Sequence, residues 1–329
     1  MAQGIRFYEA GTPEVLRWES FGVGSPGPGE VRIRHGAVGL NFADTYYRSG
    51  LYPAELPAGL GVEAAGVVVE AGPGVDGFAP GDRVTYTGSP LGAYSTERVM
   101  PAEHLIALPD AIDFDTAAAM TMRGLSAAYL LRRVVPGLRA GDTVLLHAAA
   151  GGLGQIFTQW AREIGITVIG TVSTPEKAEV AQAHGCAHTI VYTQQDVPTR
   201  VRELTDGVGV PVVFDSIGAT TYQSSLDSLA RRGLLVCFGT ASGPIPPINA
   251  MELAMKGSLY VTRPALADYI ADPAERAALA AELFDHVSAG RIVVEINHRY
   301  ELQDAVQAHI DLESGRGIGS HVFTLENSA

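Results

Sequence analysis

The run Thr143-Val144-Leu145-Leu146 leads directly into His147-Ala148-Ala149-Ala150-Gly151-Gly152-Leu153-Gly154, and no other stretch constrains the fold as much. Behind the glycines, Ile156, Phe157, Trp160, Ala161 and Ile164 recur on one face at helical spacing. An apolar strand, a glycine turn and an amphipathic helix in that order suit a dinucleotide. The glycines let the backbone approach a pyrophosphate, and the helix start offers free N–H groups at the positive end of its dipole. A glycine cluster alone also fits an ordinary tight turn. The flanking strand and helix, with further βα units downstream, favour the cofactor.

Those units follow at regular intervals. Strands are expected over 166–172, 188–192, 210–215, 233–238 and 258–262, with helical stretches between them, such as the stripe Tyr222, Leu226, Leu229 and Ala230. This alternation argues for a parallel sheet covered on both faces. Residues 1–125 differ: they are glycine-rich and irregular, with short strand patterns over 30–35, 65–70 and 83–86 separated by breakers at 22–29, 71–74 and 79–82. Apolar helix formers over 117–122 and 126–131 lead into the nucleotide-binding unit. Downstream, a helix is expected over 273–288. A tail over 292–325 carries short strands around one more helix, 302–312, and is expected to pack back on the first domain.

Composition narrows the class. A chain of 329 residues is comfortable for two domains, and 47% hydrophobic against 18% charged residues provides a sizeable core. The formal net charge of −13 works against nucleic acid or an anionic membrane as main partner. The two cysteines, Cys186 and Cys237, form no CxxC pattern and imply no disulfide framework. No apolar segment reads as a signal peptide or a membrane span, so a cytoplasmic protein is expected. No cysteine precedes Cys186, and His35 and His104 lack partners at ligand spacing, so no zinc site is expected.

Cofactor preference is written at the end of the second strand. An NAD site usually places a carboxylate there, on the ribose hydroxyls. Here the sequence reads Gly170-Thr171-Val172-Ser173-Thr174-Pro175-Glu176-Lys177. Small hydroxyls replace the acid, and Lys177 follows one helical turn on. Hydroxyls and an ammonium accept a 2′-phosphate, which favours NADPH. The same residues also read as a helix N-cap with a lysine on a solvated face, and the two readings are compatible. Tyr192, at the third strand's end, either packs at an edge or closes over the adenosine phosphate. Ser216, after the strand 210–215, and Phe238-Gly239-Thr240, ending the next, are expected to flank ribose and nicotinamide, because C-terminal strand ends face the ligand crevice. In the first domain, the segment from Leu40 to Pro53 is dense in polar and aromatic residues. Its rings suit a planar, oxygen-bearing substrate, and they equally suit a surface turn whose tyrosines cap the core.

Gly61-Val62-Glu63-Ala64-Ala65-Gly66, Ala79-Pro80-Gly81-Asp82-Arg83-Val84, His147 to Gly154 and Gly257-Ser258-Leu259-Tyr260-Val261-Thr262-Arg263-Pro264 resemble the medium-chain dehydrogenase/reductase superfamily. Within it they resemble the zinc-free NADPH:quinone oxidoreductases, the zeta-crystallin-like branch. Zinc-dependent cousins carry a cysteine near Asn41 and a histidine at Val62, and this sequence departs at both points. The resemblance implies a GroES-like β-rich domain (1–125), a Rossmann doubly wound parallel sheet domain (126–265), a C-terminal return (266–329) and a catalytic cleft between the domains. It implies a homodimer paired through the Rossmann sheet edge at 258–262. It places Asn41 and Tyr46 along the nicotinamide, Tyr52 and Arg263 around the substrate, and Gly152 and Leu153 on the pyrophosphate. Ser173, Lys177 and Tyr192 then hold the 2′-phosphate, Phe238, Gly239 and Thr240 flank the nicotinamide ribose, and Arg316 reaches the cofactor from the tail.

The implied activity is metal-free reduction of a quinone by NADPH, with Asn41, Tyr46, Tyr52 and Arg263 as donors to the developing oxyanion. Two other readings stay open. One is reduction of the C=C bond of an α,β-unsaturated ketone or aldehyde. The other is an NADPH-binding protein with little catalysis, structural or RNA-binding; the acidic balance argues against RNA.

Overall fold

The computed structural model describes residues 1–325, and the chain divides into two compact units. One comprises Met1–Leu125, Asp272–Gly290 and the described residues from Val294 on, and the other comprises Ser126–Ala271 with Arg291–Val293.

The first unit opens with β1 (Ala2–Phe7), β2 (Arg17–Phe21), β3 (Glu30–Leu40), α1 (Phe42–Ser49), β4 (Ala58–Gly59), β5 (Glu63–Ala71), β6 (Arg83–Thr87), β7 (Glu97–Pro101) and β8 (Ile106–Ala107). Then α2 (Phe114–Tyr129) runs into a π-helical turn, Leu130–Val134. The second unit holds β9 (Thr143–Leu146), α3 (Gly152–Glu163), β10 (Thr167–Val172), α4 (Pro175–Ala183), β11 (His188–Val191), α5 (Val197–Leu204) and β12 (Val210–Asp215). It continues through α6 (Tyr222–Ser228), β13 (Leu229–Cys237), α7 (Ala250–Met255), β14 (Tyr260–Thr262) and α8 (Leu266–Tyr269). The chain then returns to the first unit with α9 (Pro273–Ser288), β15 (Ile296–Glu301), α10 (Ala305–Glu313) and β16 (Ser320–Thr324).

In the second unit the strand order is β11-β10-β9-β12-β13-β14, and every described pairing is parallel. The first strand thus lies between the second and the fourth, which makes the β9–β12 boundary the topological switch point where open α/β sheets bind ligands. The sheet is apolar on both faces because helices cover it. Leu145, Ile169, Ile190, Val213 and Leu235 share one core. Helix α3 buries Ile156, Phe157, Trp160 and Ala161, as its periodicity requires.

In the first unit, the long strand β3 organises a sheet ordered β15-β16-β3-β5-β6-β8, with β7 also on β3. Strand β16 lies antiparallel on β3, with His321 opposite Leu40 and Phe323 opposite Val38. The tail is therefore part of the N-terminal sheet. Phe7, Ile33, Leu40, Tyr86, Tyr94 and Phe323 fill the core beside it. At its end β3 passes straight into α1 through Asn41, which keeps extended backbone angles (φ −126°, ψ 153°) as the helix N-cap.

Three sequence expectations change. The stripe Tyr222, Leu226, Leu229 and Ala230 is not one helix, because α6 ends at Ser228 and Leu229 opens β13 opposite Val210. All three large residues remain buried in the same core, so the stripe marks burial correctly and misleads only about the period. The segments 117–122 and 126–131 join into α2 and its π-helical end. The helix expected over 302–312 is a 3₁₀ turn, Leu302–Asp304, followed by α10.

Candidate active site

The turn after β9 bends through Ala148, whose φ of 56° is left-handed. Gly154 packs so closely under this turn that a Cβ would stand 2.5 Å from the Ala148 carbonyl oxygen and 2.6 Å from that of Ala149. Gly151 caps α3 without a side-chain hydrogen bond, and the first turn carries no acidic residue. Gly152 and Leu153, both half-buried, thus begin a helix whose N–H groups no side chain of the cap occupies. A diphosphate is the group such a cradle accepts.

Ser173, Lys177 and Tyr192 come together at neighbouring strand ends. Val172 pairs with Val191, the Tyr192 N–H donates to the Val172 carbonyl at 3.0 Å, and the Thr193 hydroxyl donates to the Ser173 carbonyl at 2.9 Å. Lys177 sits in the first turn of α4, its N–H donating to the N-cap Thr174 Oγ1 at 3.3 Å. Burial holds its ammonium below the usual lysine range, as for a cation partly withdrawn from water. Thr174 is the N-cap that the sequence suggests, and Lys177 is half-buried rather than on a solvated face.

Ser216 and the Phe238–Thr240 segment also meet. The Phe238 N–H donates to the Asp215 carbonyl at 2.8 Å and the Ala241 N–H to the Ser216 carbonyl at 3.2 Å. Ser216, Gly239 and Thr240 are half-buried and Phe238 lies with them at the C-terminal ends of β12 and β13. Beneath them lies a closed polar cluster. The Asp215 carboxylate accepts the N–H groups of Ile217 and Gly218 and the hydroxyls of Thr221 and Ser225. Since the Ser225 proton goes to Asp215, its oxygen accepts from His147 Nε2 at 2.9 Å, and His147 Nδ1 accepts from the Thr171 hydroxyl at 2.9 Å. Burial lowers the His147 pKa, in keeping with a neutral ring. This cluster ties the ends of β9, β10 and β12 beneath the loop that carries Ser216.

On the first unit Asn41 stands ahead of α1 as its N-cap, Tyr46 lies on the helix and Tyr52 follows it. The Tyr46 and Tyr52 rings pack edge to face with centroids 5.2 Å apart, and the Tyr52 N–H donates to the Tyr46 carbonyl at 3.0 Å. The Tyr47 ring also packs edge to face on Tyr52, with centroids 5.4 Å apart. Two expected residues stand outside these groups. Arg263 is exposed beyond β14 on the second unit, with Nη1 on the Pro264 carbonyl at 3.0 Å. Arg316 is exposed between α10 and β16, its N–H donating to Ser314 Oγ at 3.3 Å.

A buried charged cluster behind Asn41 escapes the sequence reading. Asn41 Nδ2 donates to Glu63 Oε2 at 2.7 Å, and its backbone N–H donates to Asp44 Oδ2 at 2.8 Å. The Met122 N–H donates to Glu63 Oε1 at 2.6 Å, and Arg123 Nη1 lies 4.0 Å from Oε2. Asp44 Oδ2 also accepts the Tyr94 hydroxyl at 3.0 Å, while Oδ1 is buried without a hydrogen-bond partner. Burial raises both carboxyls to about 7 and lowers Arg123. The chain of contacts continues from Tyr94 to His309 at 3.1 Å and to Arg48, which grips Glu313 with two bonds of 2.8 Å. The available signal is a lone charge in an apolar run, Glu63 before Ala64-Ala65-Gly66-Val67-Val68 and Arg123 after Ala117 to Met122.

Among the described residues no group of three or more His, Cys, Asp or Glu side chains is placed to hold a metal ion. A crevice of about 650 Å³ on the first unit, lined by Phe78, Glu103, Leu105 and Arg276 among others, contains none of the expected site residues.

The chain is similar to known proteins along nearly its whole length. Residues 27–110 match the alcohol dehydrogenase GroES-like domain, and residues 152–283 match the zinc-binding dehydrogenase model. A quinone oxidoreductase of Pseudomonas aeruginosa is 52% identical over 98% of this chain and 99% of its own length. A 2-haloacrylate reductase of a Burkholderia species is 47% identical, with 98% and 99% covered. The crystal structure of Escherichia coli quinone oxidoreductase complexed with NADPH superposes with a TM-score of 0.96 at 44% identity, covering 98% of this chain and 100% of that one.

Proposed function

This chain belongs to the quinone oxidoreductase family of medium-chain dehydrogenases, and we propose that it reduces quinones with NADPH without a bound metal. The observation that carries the proposal is the end of β10. Ser173 and the half-buried Lys177 stand there instead of a carboxylate, beside a strand end bearing Tyr192 and within the sheet that holds the Gly151–Gly154 cradle. These residues fit a dinucleotide 2′-phosphate and diphosphate, and the E. coli relative is complexed with NADPH.

When bound, NADPH supplies reducing equivalents from nicotinamide C4. The chain does the rest. Gly152 and Leu153 present N–H groups to the diphosphate, and Ser173, Lys177 and Tyr192 hold the 2′-phosphate. Ser216, Phe238, Gly239 and Thr240 border the nicotinamide ribose. Asn41 and Tyr46 orient the ring, and Tyr52 and Arg263 face the acceptor, with Arg316 as a further contact from the tail. An acceptor oxygen gains negative charge as it is reduced, and the hydroxyls of Tyr46 and Tyr52, the Asn41 amide and the Arg263 guanidinium are donors for it. A quinone is already activated, so it needs no Lewis acid. The exposed β14 edge, with Tyr260 61% exposed and Met255 on the preceding helix 81% exposed, supports pairing of two copies through this strand.

The 2-haloacrylate reductase relative favours a second reading, reduction of an activated C=C bond, because an enone and a quinone present the same acceptor geometry. Initial rates of NADPH and NADH oxidation with 1,4-benzoquinone, 9,10-phenanthrenequinone, a simple enone and 2-chloroacrylate separate the two. NADPH-specific turnover of the quinones is expected. Turnover of the enone or chloroacrylate alone moves the assignment to the C=C reductase, and tight NADPH binding with no turnover refutes both.

A further inference from the structure

Resting on the functional reading that sets Asn41 beside the nicotinamide, we propose that Glu63 is a positioning residue. Its carboxylate selects which end of the Asn41 amide the site presents to the cofactor, and proton uptake by Glu63 reverses the choice.

Four segments build a seat for this one carboxylate. Strand β5 places Glu63 with no exposure. Gly39 of β3 leaves the space, since a Cβ there would stand 2.4 Å from Oε2. The Met122 N–H of α2 takes Oε1 at 2.6 Å, and Asn41, ahead of α1, offers Nδ2 to Oε2 at 2.7 Å. A backbone N–H can only donate, so Oε1 is permanently engaged as an acceptor. Any proton that Glu63 takes therefore resides on Oε2, facing Asn41.

The consequence is a change of hydrogen-bond sense. Ionised Glu63 can only accept, and it holds Asn41 with Nδ2 inward. Protonated Glu63 donates from Oε2, and Asn41 receives that bond only through Oδ1, so the amide turns over and Oδ1 leaves the Asp44 N–H of the α1 capping box. The surroundings keep both forms within reach. Burial raises the Glu63 pKa, to about 7, while Arg123, Asn41 and the N–H groups of Met122 and Thr121 oppose the rise. The other groups facing it are Asp44 from α1, itself raised to about 7 by burial, and Tyr86 from β6, whose pKa is raised by burial and, to a smaller extent, by the Glu63 charge. Above Glu63's pKa the amide is set with Nδ2 inward, and acidification through that pKa releases it.

Two measurements test this. The first follows the Asn41 side-chain NH₂ resonances of the ligand-free protein, assigned through Asn41→Ser, from about pH 5.5 to about pH 8.5. They should shift with a midpoint near the Glu63 value of about 7, and in Glu63→Gln only a smaller shift from Asp44, which accepts the Asn41 N–H, should remain. The second is the Kd for NADPH. In Glu63→Gln it should rise about tenfold at about pH 8 and vary less with pH than in wild type, with kcat changed less than KM, while Glu63→Asp recovers part of the loss. Wild-type resonances that do not titrate overturn the proposal, as does a folded Glu63→Gln that binds NADPH like wild type at both ends of the range. If Glu63→Gln does not fold, the amide titration of Asp44→Asn, in which Glu63 alone of the two carboxyls still titrates, decides. Should the wild type reduce no quinone, the functional reading falls, and the amide titration and NADPH affinity still decide the role of Glu63.

Discussion

His147 and Asp215 on the second unit are as buried as Asn41 and Glu63 on the first, yet their partners differ in kind. Asp215 receives four donors, and His147 completes the set through Ser225 and Thr171. Every polar atom named there has a partner, and one arrangement of protons satisfies all of them. Around Asn41, two carboxyls share the neighbourhood of one guanidinium, and Asp44 Oδ1 has no partner. Such a cluster has no single proton arrangement, so its state depends on pH. A satisfied network fixes a loop, and an under-satisfied one responds.

The comparison can be broken most sharply at Asp215. Replacing it with alanine strands four donors, so Asp215→Ala should lose about 3–5 kcal/mol of stability in urea unfolding. A loss below about 1 kcal/mol would show that the second cluster does not fix its loop. Lys177→Ala sharpens the contrast from the other direction. It should leave the unfolding free energy within about 0.5 kcal/mol of wild type and weaken NADPH by at least about tenfold, with NADH changed less than about twofold. Equal weakening of both cofactors would remove the 2′-phosphate from this site.

Asp44 tests the responsive cluster. A carboxyl raised in the folded state binds its proton more tightly there than in the unfolded chain, so the native state is favoured at low pH and loses that advantage as pH rises through about 7. Buried histidines such as His309, lowered by burial to about 3, act in the opposite sense, so the useful quantity is a difference. Asp44→Asn minus wild type should shift in favour of the variant by about 1–2 kcal/mol between about pH 5.5 and about pH 8.5. A flat difference would mean that Asp44 carries no raised pKa. The smallest effect is expected at the rim. Glu313→Gln weakens the paired grip on the buried Arg48, which keeps Gly11 and His309, and should cost about 1 kcal/mol in the same unfolding assay.

Legibility follows sequence distance. Strand β12 and helix α9 are legible to the residue, the second because Asp272 caps it with Pro273 at its first position. The strand-end residues Ser173 and Ser216 stand out because the βα repeat itself says where strands end. Leu229 and Ala230 read as helix but form a strand, because an apolar stripe fits either period over so short a run. Strands β1 and β2 give no signal strong enough to be expected.

By itself, then, the sequence determined the doubly wound unit, its glycine cradle and the missing acid at the second strand, since each is a local pattern with a local physical cause. The tertiary structure alone decided that Glu63 meets Asn41 across 22 residues and Met122 across 59. It alone decided that β16 lies on β3, and that Arg48 holds Glu313 across 265 residues. Burial and pairing of charges are properties of distant segments brought together, and a lone glutamate in an apolar run does not say which donors will surround it.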